Sequence, residues 1–195
     1  MQINKEFLKS LKPCANRYEN FLKHNASFDG SFSDFLDLTN LDYNDKIWVA
    51  VRVLTKNKRV KWAMLCVESV VHIFEAKYPY DRCLSNCIRY LKTVKDFNSL
   101  TDTEREEIER HLDIIQKALP AYAAYATSAA VRSATYTTSA ATASHDAHAT
   151  SAAVRSAAYA TDAAFHAAKD AGEDANAAQE NQEALNIQFL KQVTS

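Results

Sequence analysis

Cys83 and Cys87 stand one helical turn apart, and His72 lies eleven residues before the first of them. Thiolates and imidazoles at such spacings can hold a soft metal or form a nucleophile and its base. Structural zinc, however, is usually held by paired CxxC-type spacings that supply four ligands, and the chain has only Cys14 and Cys66 besides. The expected role of Cys66, Cys83 and Cys87 is therefore that of free, buried packing residues. His145 and His148 flank Asp146 at i, i+3 spacing and could touch a metal at a surface. Their setting, TASHDAHAT, is rich in turn formers, so they read as turn residues. No Gly-rich phosphate loop, HExxH or nucleophile elbow occurs. The expectation is a non-enzyme with no metal and no cofactor.

Two charged groupings carry binding chemistry. The run KNKRVK offers Lys56, Lys58, Arg59 and Lys61 to phosphates. The formal net charge is −1, so no global field favours nucleic acid, and a solvated loop between helices is the stronger reading of the run. Arg132 and Tyr136 are i, i+4, as are Arg155 and Tyr159, so each pair can stack along its own helix. With Tyr122 and Tyr125 they form a candidate partner-binding ridge, since Tyr and Arg are favoured interface anchors. The plainer alternative is local packing at the edge of an alanine seam.

The elements that must position these residues are helices. Two glycines and three prolines among 195 residues leave few of the hairpin turns that sheets require, so the fold class is all-α. No run of about 18 apolar residues is present, which excludes an ordinary membrane-crossing helix. MQINKEFLKSLK carries no apolar signal region. The expected compartment is a cytoplasm, in which cysteines stay reduced.

Along the chain, Lys5 to His24 has amphipathic spacing, with Pro13 set to kink it or to start a second segment. Ser31 or Ser33 can cap a short helix through Leu38, and Asn44 or Asp45 the next, KIWVAVRVL. VKWAMLCVESVVHIFEAKY is apolar on most sides, the pattern of a central helix. YDRCLSNCIRYLKTV follows, and then a helix capped by Thr101 or Thr103 with the stripe Ile108, Leu112, Ile115 and Leu119. At Pro120 the composition turns to Ala, Ser and Thr, which sets the expected division: a helical bundle domain over 1–119 and an alanine-rich repeat region over 120–195 packed on it. Gly172 stops the alanine run, and a last helix carries Leu185, Phe189 and Val193.

The alanine region writes ATSAAVRSATY from Ala126 and ATSAAVRSAAY from Ala149, 23 positions later. Paired alanines begin at Ala129, Ala140, Ala152 and Ala163, in steps of 11, 12 and 11. An 11-step holds a stripe on one helix face with about 20° of drift. A 12-step rotates it by roughly 120°, so one straight helix would point its two copies in different directions. A break within Thr142 to Thr150, with Ser144 or Asp146 as cap, gives instead an antiparallel hairpin of two helices. Its seam would be lined by Ala129, Ala130, Ala152 and Ala153 and filled largely by methyl groups. The alternative is one long helix covered by another chain, with self-association through the alanine-rich helices.

In their order, LKSLKPCANRYENFL, DLTNLDYNDKIWVAVRVL, VKWAMLCVESVVHIFEAKYPYDRC and the alanine-repeat tail resemble a group of phage and bacterial proteins, some of them described as immunity proteins. The resemblance implies a small accessory protein that acts in the host cytoplasm by binding another protein, as an inhibitor of a defence or toxin component. A nucleic-acid-associated protein using the basic N-terminal third is the second expectation.

Overall fold

The computed structural model describes residues 1–118 and 125–195. Leu119 and Tyr122, named above for the helix stripe and the ridge, lie outside them. Ten helices and one two-stranded sheet are found among the described residues. The chain divides into two compact units, Met1–Val53 and Leu54–Ser195. The change of composition at Pro120 therefore does not coincide with this boundary.

In the first unit a sheet appears that the all-α reading did not foresee. Strands β1 (Gln2–Asn4) and β2 (Asp29–Ser31) pair antiparallel, with Ile3 opposite Gly30. A Cβ on Gly30 would lie 2.9 Å from the Phe28 ring, so glycine lets the ring close over the strand. The amphipathic stretch from Lys5 to His24 forms two helices, α1 (Lys5–Ser10) and α2 (Ala15–Asn25). Between them Lys12 takes a left-handed φ of 55° immediately before Pro13, so of the two outcomes expected at the proline it is the start of a second segment that occurs. Ser31 caps α3 (Phe32–Asp37) in a capping box with Asp34. Helix α4 (Tyr43–Val53) starts earlier than expected: Asp42 Oδ1, not Asn44 or Asp45, accepts the Asn44 N–H at 2.7 Å. Ile3, Phe21, Phe32, Phe35 and Leu36 form this unit's core.

The second unit is a helical bundle around α5 (Lys56–Lys77), which Thr55 caps. Val60, Trp62, Ala63, Cys66, Val67 and Phe74 are all fully buried, so α5 is the central helix its composition announced. The run KNKRVK is its opening turns and not a loop. Helices α6 (Cys83–Leu91) and α7 (Asp102–Ala118) follow, α7 opened by a Thr101–Glu104 capping box. Next come α8 (Tyr125–Thr142) and α9 (Asp146–Ala171), packed together as a hairpin, and α10 (Ala175–Thr194). Both α8 and α9 lie on α5; α6 and α7 pack on α8, and α10 packs on α9 and α5. Gly172, at φ 74°, closes α9 with Glu173 N–H bonded to the Ala168 carbonyl at 2.8 Å.

On α10 the apolar residues named from sequence are not the most buried ones. Gln182, Asn186 and Leu190 are the buried residues, while Leu185 is 38% exposed. The amides win this face because they have partners there. Gln182 donates to Ser69 Oγ (2.9 Å), Asn186 to Thr161 Oγ1 (3.2 Å), and the Trp62 indole to the Asn186 carbonyl (3.0 Å).

Candidate functional site

The 12-step in the repeat is resolved by the break between Thr142 and Asp146, so the one-helix alternative does not hold. Neither Ser144 nor Asp146 caps α9. His145 occupies the N-cap without a side-chain bond, and Asp146 pairs with Arg59. The turn is instead held by cations from α5 and α7. Lys56 Nζ donates to the Ala143 carbonyl (2.7 Å) and the Phe97 carbonyl (2.6 Å), and Arg105 donates to the Thr142 carbonyl (3.0 Å). The Thr142 and Ala143 carbonyls lie at the end of α8, where helix dipoles accumulate negative charge. Arg59 also donates to Thr150 Oγ1 at 2.7 Å. Burial, with Arg105 adding to it, lowers the pKa of the Lys56 ammonium.

Lys56 is thus half-buried, and Arg59 is 3% exposed. Of the four residues considered for phosphate contact, only Lys61 is fully exposed, with Lys58 half-buried. Lys56 and Arg59 serve the hairpin turn.

The duplicated residues meet one another across the hairpin. Ser133 and Ser156, the same letter of each copy, bring their hydroxyls to 3.2 Å, and Ser133 donates to the Ser156 carbonyl at 2.8 Å. Tyr136 and Tyr159, again equivalent, stack with ring centroids 5.4 Å apart and planes 3° from parallel. Arg132 lies 5.7 Å from the Tyr159 ring centre, and Arg155 lies 5.3 Å from that of Tyr136. Self-pairing letters with reciprocal cross-pairs are the signature of a local two-fold relation. Residue i of α8 is thereby equivalent to residue i+23 of α9. Each arginine accordingly crosses to the other helix's tyrosine and does not stack along its own helix, as the i, i+4 spacing suggested.

The inner face of the seam is not purely methyl. Of the four alanines expected there, Ala130 and Ala153 are fully buried and Ala129 and Ala152 are buried as well, but Ser133, Thr137 and Ser156 are also fully buried. Thr137 Oγ1 and Ser156 Oγ are 2.7 Å apart, and Thr137 donates to the Ser133 carbonyl at 3.0 Å. Such short hydroxyls satisfy themselves on helix carbonyls, so they fit where backbones are close. The equivalent Thr138 and Thr161 each back-bond their own helix and then meet different neighbours, Cys87 of α6 (3.4 Å) and Asn186 of α10. Their partners lie on helices far away in sequence.

On the outer face Arg132 and Arg155 are exposed, and Tyr136 and Tyr159 are half-buried. No carboxylate lies within 4 Å of either guanidinium among the described residues. Tyr125 is 77% exposed and stacks on His166 at 5.3 Å, at the end of the hairpin away from its turn. Toward the turn, a groove of about 420 Å³ opens among Tyr136, Ser139, Ala143, His148, Ser151 and Arg155. Of the ridge expected from sequence, five of six residues share this face, and Tyr122 lies outside the described residues.

The cysteines are free; Cys66 and Cys87 are buried, Cys83 is half-buried and Cys14 is exposed. Burial, reinforced by Asp81, pushes the Cys83 thiol up to about 12, the opposite of what a nucleophilic thiolate needs. It borders a cavity of about 670 Å³ between α6 and α7 with Arg82, Arg89, Arg110 and His111. Arg82 pairs with Glu75 and Arg110 with Glu107, and burial lowers the His111 pKa. His72 is exposed on α5. Among the described residues no three His, Cys, Asp or Glu side chains gather as metal ligands, and no helix is long and apolar enough to cross a membrane.

Neither a family model, nor a curated protein, nor a solved structure matches this chain.

Proposed function

We propose that the chain acts by binding another protein through the outer face of the α8–α9 hairpin, and that it performs no catalysis of its own. The observation that carries this reading is the pair of exposed arginines. Each is held over a tyrosine ring, and among the described residues neither forms an ion pair. A guanidinium fixed on an aromatic face has already lost much of its side-chain freedom, so less is lost when it engages a carboxylate. Arg and Tyr together are favoured interface anchors. The resemblance to phage and bacterial immunity-like proteins adds the setting: an accessory protein in a host cytoplasm whose binding silences a toxin or defence component.

Affinity capture from bacterial lysate, comparing the wild type with Arg132→Glu/Arg155→Glu and quantified by mass spectrometry, tests the reading. The expected result is a captured protein depleted about tenfold or more by the variant, with helical circular dichroism unchanged. An identical capture profile would overturn it. So would capture of nucleic acid that collapses between about 50 and 200 mM salt.

A further inference from the structure

The two ends of the hairpin are equivalent by the local two-fold, yet a ring pair and a carboxylate fill the equivalent positions at one and smaller residues do so at the other. At the filled end Tyr125 stacks on His166, with Asp162 on the same face and in electrostatic contact with that imidazole. Moving each residue to its equivalent 23 positions away puts His148 at the place of Tyr125, Ala143 at that of His166 and Ser139 at that of Asp162. All three line the groove of about 420 Å³ near the turn. Arg155, the equivalent of Arg132, lines it as well and donates to Tyr136 Oη at 3.1 Å. The groove therefore exists where the second copy lacks two things the hairpin supplies at its other end: a planar ring over Ala143 and a carboxylate at Ser139.

We infer that this groove receives an acidic segment of a partner protein, with one aromatic side chain laid over Ala143 against His148 and a neighbouring carboxylate facing Arg155. The inference rests on the binding reading above and deepens it by naming where the partner sits and what chemistry it carries. Charge complementarity selects the occupant. Arg155 supplies the positive charge of the lining, and no carboxylate is among the residues that line it. His148 is exposed, and its ring lies 5.9 Å from that of His145 at a tilt of 56°. The volume is within the range of sites that enclose small ligands, enough for an aromatic side chain and its neighbour.

The probe is the peptide acetyl-Glu-Asp-Tyr-Asp-Glu-amide, titrated into isotope-labelled protein and followed by amide shifts. Shifts at Ser139, Ala143, His148 and Arg155, saturating with a dissociation constant of about 1 mM or tighter, are expected. They should shrink with a peptide carrying Ala for Tyr, and with one carrying Asn and Gln for the acids. The double variant Ser139→Asp/Ala143→His rebuilds the filled end inside the groove and should weaken binding at least about tenfold without loss of helicity. No shifts, shifts centred on Tyr125 and His166, or equal shifts with all three peptides would overturn the inference. If the lysate partner is lost with the double arginine variant yet retained by Ser139→Asp/Ala143→His, the groove falls and the binding reading stands.

Discussion

On its inner face the hairpin buries Ser133, Thr137 and Ser156 against the Ala63 turn of α5, whereas its outer face leaves Arg132 and Arg155 in solvent above two half-buried tyrosines. Both faces are built from the same duplicated letters. The difference teaches what a small-residue repeat can do. Alanine and serine bring three helices together, and closeness of backbones lets hydroxyls bond to carbonyls of a neighbouring helix. The larger letters, excluded from that space, are forced outward, where the two-fold pairs them. A partner-facing surface thus follows from the packing rule of the seam.

Overfilling the inner face should have the largest consequence. Ala153 is fully buried in the seam, and Leu there adds three heavy atoms to a space without slack. Overpacking typically costs about 1–3 kcal/mol, and with helix backbones on both sides about 2 kcal/mol is expected in urea denaturation. Ala158 is exposed on the same helix, so Ala158→Leu should stay within about 0.5 kcal/mol. Equal losses at the two sites would mean that the faces do not differ in packing.

The helical nature of the chain, the hairpin and the position of its turn were all legible, because composition and an 11-12-11 spacing act locally and geometrically. The crossing of Arg132 to Tyr159 was not: i, i+4 spacing places neighbours on one helix and is silent about the other. The inward face of α10 was also hidden, since Gln182 and Asn186 read as polar surface until Ser69, Thr161 and Trp62 arrive from distant segments. The β1–β2 pair escaped notice because three-residue strands leave no periodicity to read. At the candidate site, residue types were visible but the groove was not, as it depends on comparing two ends that only the two-fold makes equivalent.

The outer face should yield a smaller effect, and one shared between the helices. Tyr136→Ala and Tyr159→Ala each remove one ring of the stack, so the second substitution finds its partner already gone. A double-mutant cycle should give a coupling near 1 kcal/mol, as for other aromatic pairs. Coupling indistinguishable from zero would leave the stack as mere proximity. If both singles retain full helicity, the stack is dispensable for the fold and free to serve binding.

The mildest effect separates the faces by pH. Three thiols of the bundle are buried or half-buried: Cys87 beside Thr138, Cys66 within α5, and Cys83 at the start of α6. Burial raises all three above the ordinary thiol value, Cys83 to about 12. As pH climbs past about 9, the unfolded chain releases these protons while the folded chain keeps them, so the unfolded state binds fewer protons and stability falls. The contribution of Cys83 is complete below the ordinary thiol range and is lost by about pH 12. Tyr90, also raised, works in the same direction, and Lys56, lowered by burial, works against it. Comparing the wild type with Cys83→Ala cancels both. The variant should show the shallower decline in urea midpoint between about pH 9 and 11, with the two slopes equal below pH 8. A variant as steep as the wild type would mean that the Cys83 thiol already titrates freely in the folded chain, and that the start of α6 is as open to water as the outer ridge.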